Sequence, residues 1–67
     1  MKLFMIYNSK DGILNGKEFY IENTSIKTMH MYSEFSNKEL RVKSFDGIVL
    51  KMSNSDIFIE ARLLKKI

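Results

Sequence analysis

Two alternating runs meet at Asp46-Gly47 in the stretch KELRVKSFDGIVLKM, residues 38–52. An Asp-Gly pair between alternating apolar residues is the strongest short-range signal of a β-hairpin. A hairpin alone is barely stable in water and needs more strands or a helix against its apolar face. The register can be argued from the pattern. A two-residue loop at Asp46-Gly47 pairs Phe45 with Ile48 and sets Val42 opposite Lys51, which divides the apolar positions between the two faces. A three-residue loop, Phe45-Asp46-Gly47, pairs Ser44 with Ile48, Val42 with Leu50 and Leu40 with Met52. The apolar alternates then share one face, as burial requires, and Gly47 supplies the left-handed residue of a G1 bulge. This second register is the expectation. It places Arg41, Lys43, Val49 and Lys51 on the outward face, with Arg41 directly opposite Lys51.

The rest of the chain supplies the partners. Leu3–Tyr7 is a short apolar run that reads as a strand, covered on one face or both. Two turn pairs, Asp11-Gly12 and Asn15-Gly16, make the next segment a loop or a bulged hairpin connection, with Ile13 and Leu14 either plugging the core edge or starting a strand. Lys17–Glu22 alternates, with Phe19 and Ile21 on one face and Glu18, Tyr20 and Glu22 on the other. Ile26–Tyr32 reads as a further strand, with one helical turn as the alternative, and the loop after it carries Phe35. Beyond the hairpin, Ser53-Asn54-Ser55 offers N-cap residues, Asp56 suits a first helical turn, and Lys65 and Lys66 suit a last one. Ile57, Ala61 and Leu64 follow helical spacing among good helix formers. Ile57, Ile59, Ala61 and Leu63 also alternate, and Ile57-Phe58-Ile59 is β-prone. A C-terminal helix is the expectation and a further strand the alternative.

Sixty-seven residues make one domain, residues 1–67. Such a chain buries only about 60% of its unfolded surface, so self-association to a homodimer is a reasonable expectation. With no cysteine there is no disulfide staple and no thiolate metal site, and one histidine does not make a structural zinc site. The composition, 45% apolar and 28% charged, is that of a globular domain. Abundant Lys, Ile, Asn, Ser, Phe and Met with no proline point to an AT-rich genome, a low-GC bacterium or one of its phages. The first apolar run is too short for a signal peptide or a membrane span, so a cytoplasmic location without membrane contact is expected. The net charge of +3 is an ordinary solubility charge that permits nucleic-acid contact without demanding it.

No catalytic set can be assembled. His30 has no cysteine partner, no serine stands in a nucleophile-elbow context, and the glycines do not form a phosphate loop. The reading is therefore of a chain that is no enzyme and needs no cofactor or metal. The informative feature is the basic hairpin face. Like charges in opposed positions destabilise a sheet, so Arg41, Lys43 and Lys51 are offset by Glu18 or Glu22 on a neighbouring strand, by solvent and salt, or by an anionic partner. Tyr20 and Tyr32 could lie beside them, as aromatics that stack bases do, or serve as ordinary cross-strand packing.

The segment Asn15-Gly16-Lys17-Glu18-Phe19-Tyr20-Ile21, then Ile26 and Met29, then the turn at Asp46-Gly47 and a charged apolar tail, resembles the small flagellar proteins called FlbD or SwrD. The likeness covers about residues 13–67 and is close in letters only over NGKEFYI. This chain differs in an N-terminal extension, in Asn23-Thr24 where that family carries a proline, and in lacking its usual Val-Lys-Glu-Ser. The resemblance implies a cytoplasmic accessory of the flagellar motor without enzyme activity.

The sequence thus predicts a mainly β (α+β) fold, a small antiparallel meander of about five strands with a C-terminal helix, with a small all-β barrel as the alternative. The function it predicts is non-enzymatic: a small accessory protein acting by protein–protein binding, such as a phage or mobile-element modulator of a host complex. A nucleic-acid-binding module using the basic hairpin face and a flagellar accessory are the alternatives. The candidate partner-binding residues are Arg41, Lys43, Lys51, Tyr20 and Tyr32.

Overall fold

The computed structural model describes residues 1–22, 30–31 and 39–67. Among these residues it is mainly β: one six-stranded antiparallel sheet in the order β2-β1-β6-β5-β4-β3. The strands are β1 (Lys2–Ser9), β2 (Glu18–Ile21), β3 (His30–Met31), β4 (Leu40–Phe45), β5 (Val49–Ser53) and β6 (Phe58–Lys66). Consecutive strands from β3 to β6 pair as a meander, β1 pairs with β2, and β6 docks against β1. Of the strand read over Ile26–Tyr32, His30–Met31 form β3; residues 26–29 and 32, and the loop with Phe35, lie outside the described residues.

Two expectations are corrected. Residues 58–66 form a strand, not a helix. β6 is hydrogen-bonded along both edges, to β1 and to β5, and its period-two apolar residues face inward: Ile59 and Ala61 are fully buried and Leu63 packs on the core. A helix would forfeit both ladders, far more than the few tenths of a kcal/mol per residue that propensity offers. The hairpin register also differs. Phe45 pairs with Leu50 and Ser44 with Lys51, whereas Val42 pairs with Met52 and Arg41 with Ser53. The loop is therefore Gly47-Ile48, closed by the Asp46 N–H on the Val49 carbonyl at 3.3 Å. Gly47 has φ +103°, at the first central position where a type II′ turn calls for glycine. The bulge sits in the strand, at Lys43, rather than in the turn.

That bulge does what the expected turn bulge was meant to do. An extra residue at Lys43 reverses the alternation, so Leu40 and Val42 before it and Phe45 after it all face the core. Two more one-residue irregularities lie between β1 and β6, at Tyr7 and at Leu64. Bulges bend a sheet and raise its twist, and here the sheet curls on itself. Phe4 on β1 and Phe45 on β4 are three strands apart in the sheet order, about 14 Å at flat strand spacing. Their ring centroids lie 5.9 Å apart, edge to face, and Phe4 also stacks on Phe19 at 5.7 Å. The inner face so enclosed holds Phe4, Ile6, Phe19, Ile21, Leu40, Leu50, Met52, Ile59 and Ala61. The sheet remains open: no ladder joins β2 to β3 among the described residues.

The β4–β5 and β5–β6 turns use one device. Asp46 Oδ1 accepts the N–H groups of Ile48 (2.9 Å) and Val49 (2.8 Å). Asn54 Oδ1 likewise accepts those of Asp56 (2.7 Å) and Ile57 (2.9 Å), while the Asn54 N–H donates to the Ile57 carbonyl at 2.9 Å. The Asn54 oxygen read as a helix cap thus caps a hairpin turn, because an Asx side chain serves either end equally well. Asn54→Ala removes both side-chain bonds at once. At a net value near 1 kcal/mol each, the loss is about 1–2 kcal/mol, read as a lower urea midpoint with an unchanged slope.

Candidate functional site

The outward face of the sheet carries four of the five residues singled out above, but not as one patch. Arg41, Lys43, Lys51 and Tyr20 are all exposed, and Tyr32 lies outside the described residues. Tyr20 stands on β2, at one edge of the sheet and four places from β4 in the strand order. Arg41 is not opposite Lys51: its cross-strand partner is Ser53, and Lys51 faces Ser44 on one side and Glu60 on the other. The like-charge conflict is therefore absent.

Acidic neighbours meet the two basic groups. Lys51 Nζ lies 3.5 Å from Glu60 Oε2 and Arg41 Nε lies 3.9 Å from Glu39 Oε1. Neither acid is Glu18 or Glu22. Such exposed pairs contribute up to about 1 kcal/mol and fade in salt; their effect here is to lower the net positive charge of the face. Glu60 is fixed further by the Asn8 side-chain amide, which donates to Oε1 at 2.9 Å. Farther along, the Arg62 guanidinium stands 5.7 Å over the ring of Tyr7, the residue at the β1 bulge.

Two carboxylates titrate below their ordinary range. The Asn8 hydrogen bond and then the Lys51 charge hold Glu60 down against partial burial. The Val49 and Ile48 N–H groups do the same for Asp46. A carboxylate depressed on folding stabilises the native state above its unfolded pKa, and that contribution is lost as pH falls through the folded pKa. Stability is therefore expected to be flat from pH 7 to about 5 on this account and to decline below it. Glu60→Gln should give a shallower acid limb in urea midpoints measured against pH; a limb identical to the wild type would overturn this.

A second feature went unread in the sequence. The β1–β2 loop and the β5–β6 turn meet at one end of the sheet around an open cleft of about 280 Å³, lined by Lys10, Asp11, Ile13, Leu14, Asp56 and Ile57. Ser9, buried at the end of β1, holds the loop beside it. Its Oγ donates to Asn15 Oδ1 at 2.7 Å and accepts the Leu14 N–H at 3.1 Å, which folds Leu14 onto the core and leaves Ile13 outside, 74% exposed. Lys10 Nζ reaches the Asp56 carbonyl at 3.4 Å and ties the two connections together. The cleft is therefore lined by Ile13, Leu14 and Ile57 together with two acidic residues, Asp11 and Asp56, and one basic residue, Lys10. At this volume it lies just below the roughly 300–1,000 Å³ of small-molecule sites and suits one or two apolar side chains. The sequence signal was Ile13-Leu14 between two glycine turns; nothing in it brought Asp56 and Ile57 alongside.

Among the described residues no three His, Cys, Asp or Glu groups converge as a metal site, and no helix is long and apolar enough to cross a membrane. Compared with known proteins, the chain matches no family model, no curated protein and no solved structure.

Proposed function

We propose that this chain is a small non-enzymatic binding domain that takes an apolar side chain of a partner protein into the cleft between its β1–β2 loop and β5–β6 turn. The observation that carries this reading is Ile13, held 74% exposed beside the half-buried Leu14 and Ile57 in a cleft also lined by two acidic residues. An isoleucine this exposed on a rigid, hydrogen-bonded loop is a natural anchor for association. These acidic residues favour a partner whose apolar anchor is flanked by Lys or Arg. The nucleic-acid reading of the hairpin face is the weaker one, since Glu60 and Glu39 stand against Lys51 and Arg41.

The test is selection from a random peptide library on the immobilised protein. The expected peptides carry an aliphatic or aromatic residue next to a basic one, lose binding with Ile13→Lys, and keep it with Arg41→Ala. Enrichment of no peptide, or equal binding by the Ile13→Lys protein, would overturn the reading.

A further inference from the structure

We infer that the cleft's partner is a second copy of this chain, seated head to tail, with the opposite end of one molecule in the cleft of the next. This rests on the cleft being a protein-docking site, and it names the occupant.

The two ends of the molecule are complementary. β6 starts beside Asp56 and Ile57 at the cleft and runs nine residues to Lys66, about 30 Å at strand rise, a length comparable with the longest extent of the molecule, 29 Å. At the far end the Leu63 N–H donates to the Ile48 carbonyl at 2.8 Å. That bond sets Ile48, 58% exposed, near Leu64, 46% exposed at its bulge. Lys65 and Lys66 follow directly. The half-buried Lys2 adds a third ammonium at this end, its Nζ 5.7 Å over the Phe45 ring at the mouth of the core. At this end Lys2, Lys65 and Lys66 outnumber Asp46 and Glu22, the residue after Ile21, which pairs with Lys2; at the cleft Asp11 and Asp56 outnumber Lys10. Apolar meets apolar, and the excess of opposite charge at each end fixes the direction.

The contact is heterologous, so it leaves a free cleft on one molecule and a free basic end on the other, and it builds chains rather than closed dimers unless the rotation closes a ring. It is also small. End faces 22 × 20 Å across cover on the order of 400 Å² of each copy, below the roughly 1,200 Å² in total that stable interfaces bury. Association should therefore be weak, with a Kd of about 0.1–1 mM, and should weaken in salt.

Sedimentation equilibrium of the intact chain from roughly 10 μM to 1 mM tests this. The weight-average mass should rise with concentration beyond a dimer. Ile13→Lys puts like charge against the lysines, and Leu64→Asp puts like charge against Asp11 and Asp56. Each alone should sediment as a monomer with unchanged circular dichroism. Mixed in equal amounts they should form a dimer and nothing larger, because each contributes one intact end. A wild-type mass that stays monomeric to 1 mM would overturn the inference, as would a mixture that remains monomeric, or association that survives both substitutions. If the wild type is monomeric but library peptides still need Ile13, the docking reading stands and only the second copy falls.

Discussion

Replacing Phe4 by alanine is expected to leave the chain largely unfolded at 25 °C. Phe4 is fully buried, its ring stacked on Phe19 at 5.7 Å and set edge-on to Phe45 at 5.9 Å. It thus touches both β2 and β4, on either side of the strands between them, and holds the curl of the sheet. Truncating a buried phenylalanine costs about 3–5 kcal/mol. A chain of 67 residues has roughly 3–10 kcal/mol in all at 0.05–0.15 kcal/mol per residue. Urea unfolding followed by circular dichroism should show a midpoint lowered by 2 M or more at a slope near 1 kcal/mol/M, or no folded baseline. Tyr20→Ala, at a side chain 59% exposed on the outer face, should move it by less than about 1 kcal/mol. Equal effects from the two substitutions would show that the core is not centred on Phe4.

The sequence and the fold part company at places with a physical cause. β2 was legible because it has one face buried: Phe19 and Ile21 alternate with Glu18 and Tyr20, and among the described residues β1 is its one partner strand. β6 was not, because its letters satisfy two periods at once. Glu60, Ala61, Arg62, Leu63 and Leu64 are good helix formers, and only the ladders to β1 and β5 decide the matter; such tertiary decisions leave no local trace. Asn54 was legible as an acceptor but not as to what it caps. Arg41, Lys43 and Lys51 are exposed as expected, but their neighbours differ, because the loop is Gly47-Ile48 rather than Phe45-Asp46-Gly47 and the bulge at Lys43 then shifts the pairs beyond it by one more residue. The cleft was hidden for a different reason. Its two halves, residues 10–14 and 56–57, belong to separate connections that become neighbours only when β1 docks on β6.

The bulge at Lys43 makes a sharper prediction than any substitution on the basic face. Deleting Lys43 should be tolerated, whereas deleting Lys51, directly across the hairpin, should abolish folding. Without Lys43 the strand reads Leu40, Arg41, Val42, Ser44, Phe45, a plain alternation in which the three apolar residues keep the inner face. The ladder closes over the gap, at the cost of some curvature. Without Lys51 the residues Leu50 and Met52, both 1% exposed or less, become adjacent and must point to opposite faces. β5 cannot absorb the shift, because it is hydrogen-bonded to β4 on one edge and β6 on the other. Turning one of these side chains out costs about 2–5 kcal/mol before the broken ladders are counted. Lys51→Ala, which removes only the exposed pair with Glu60, should cost less than about 1 kcal/mol, so the effect of the deletion is one of spacing and not of charge. Thermal melts of the three variants decide it. A cooperative transition for the Lys43 deletion and none for the Lys51 deletion is the expected outcome; the reverse order would mean that the extra residue lies elsewhere in the hairpin.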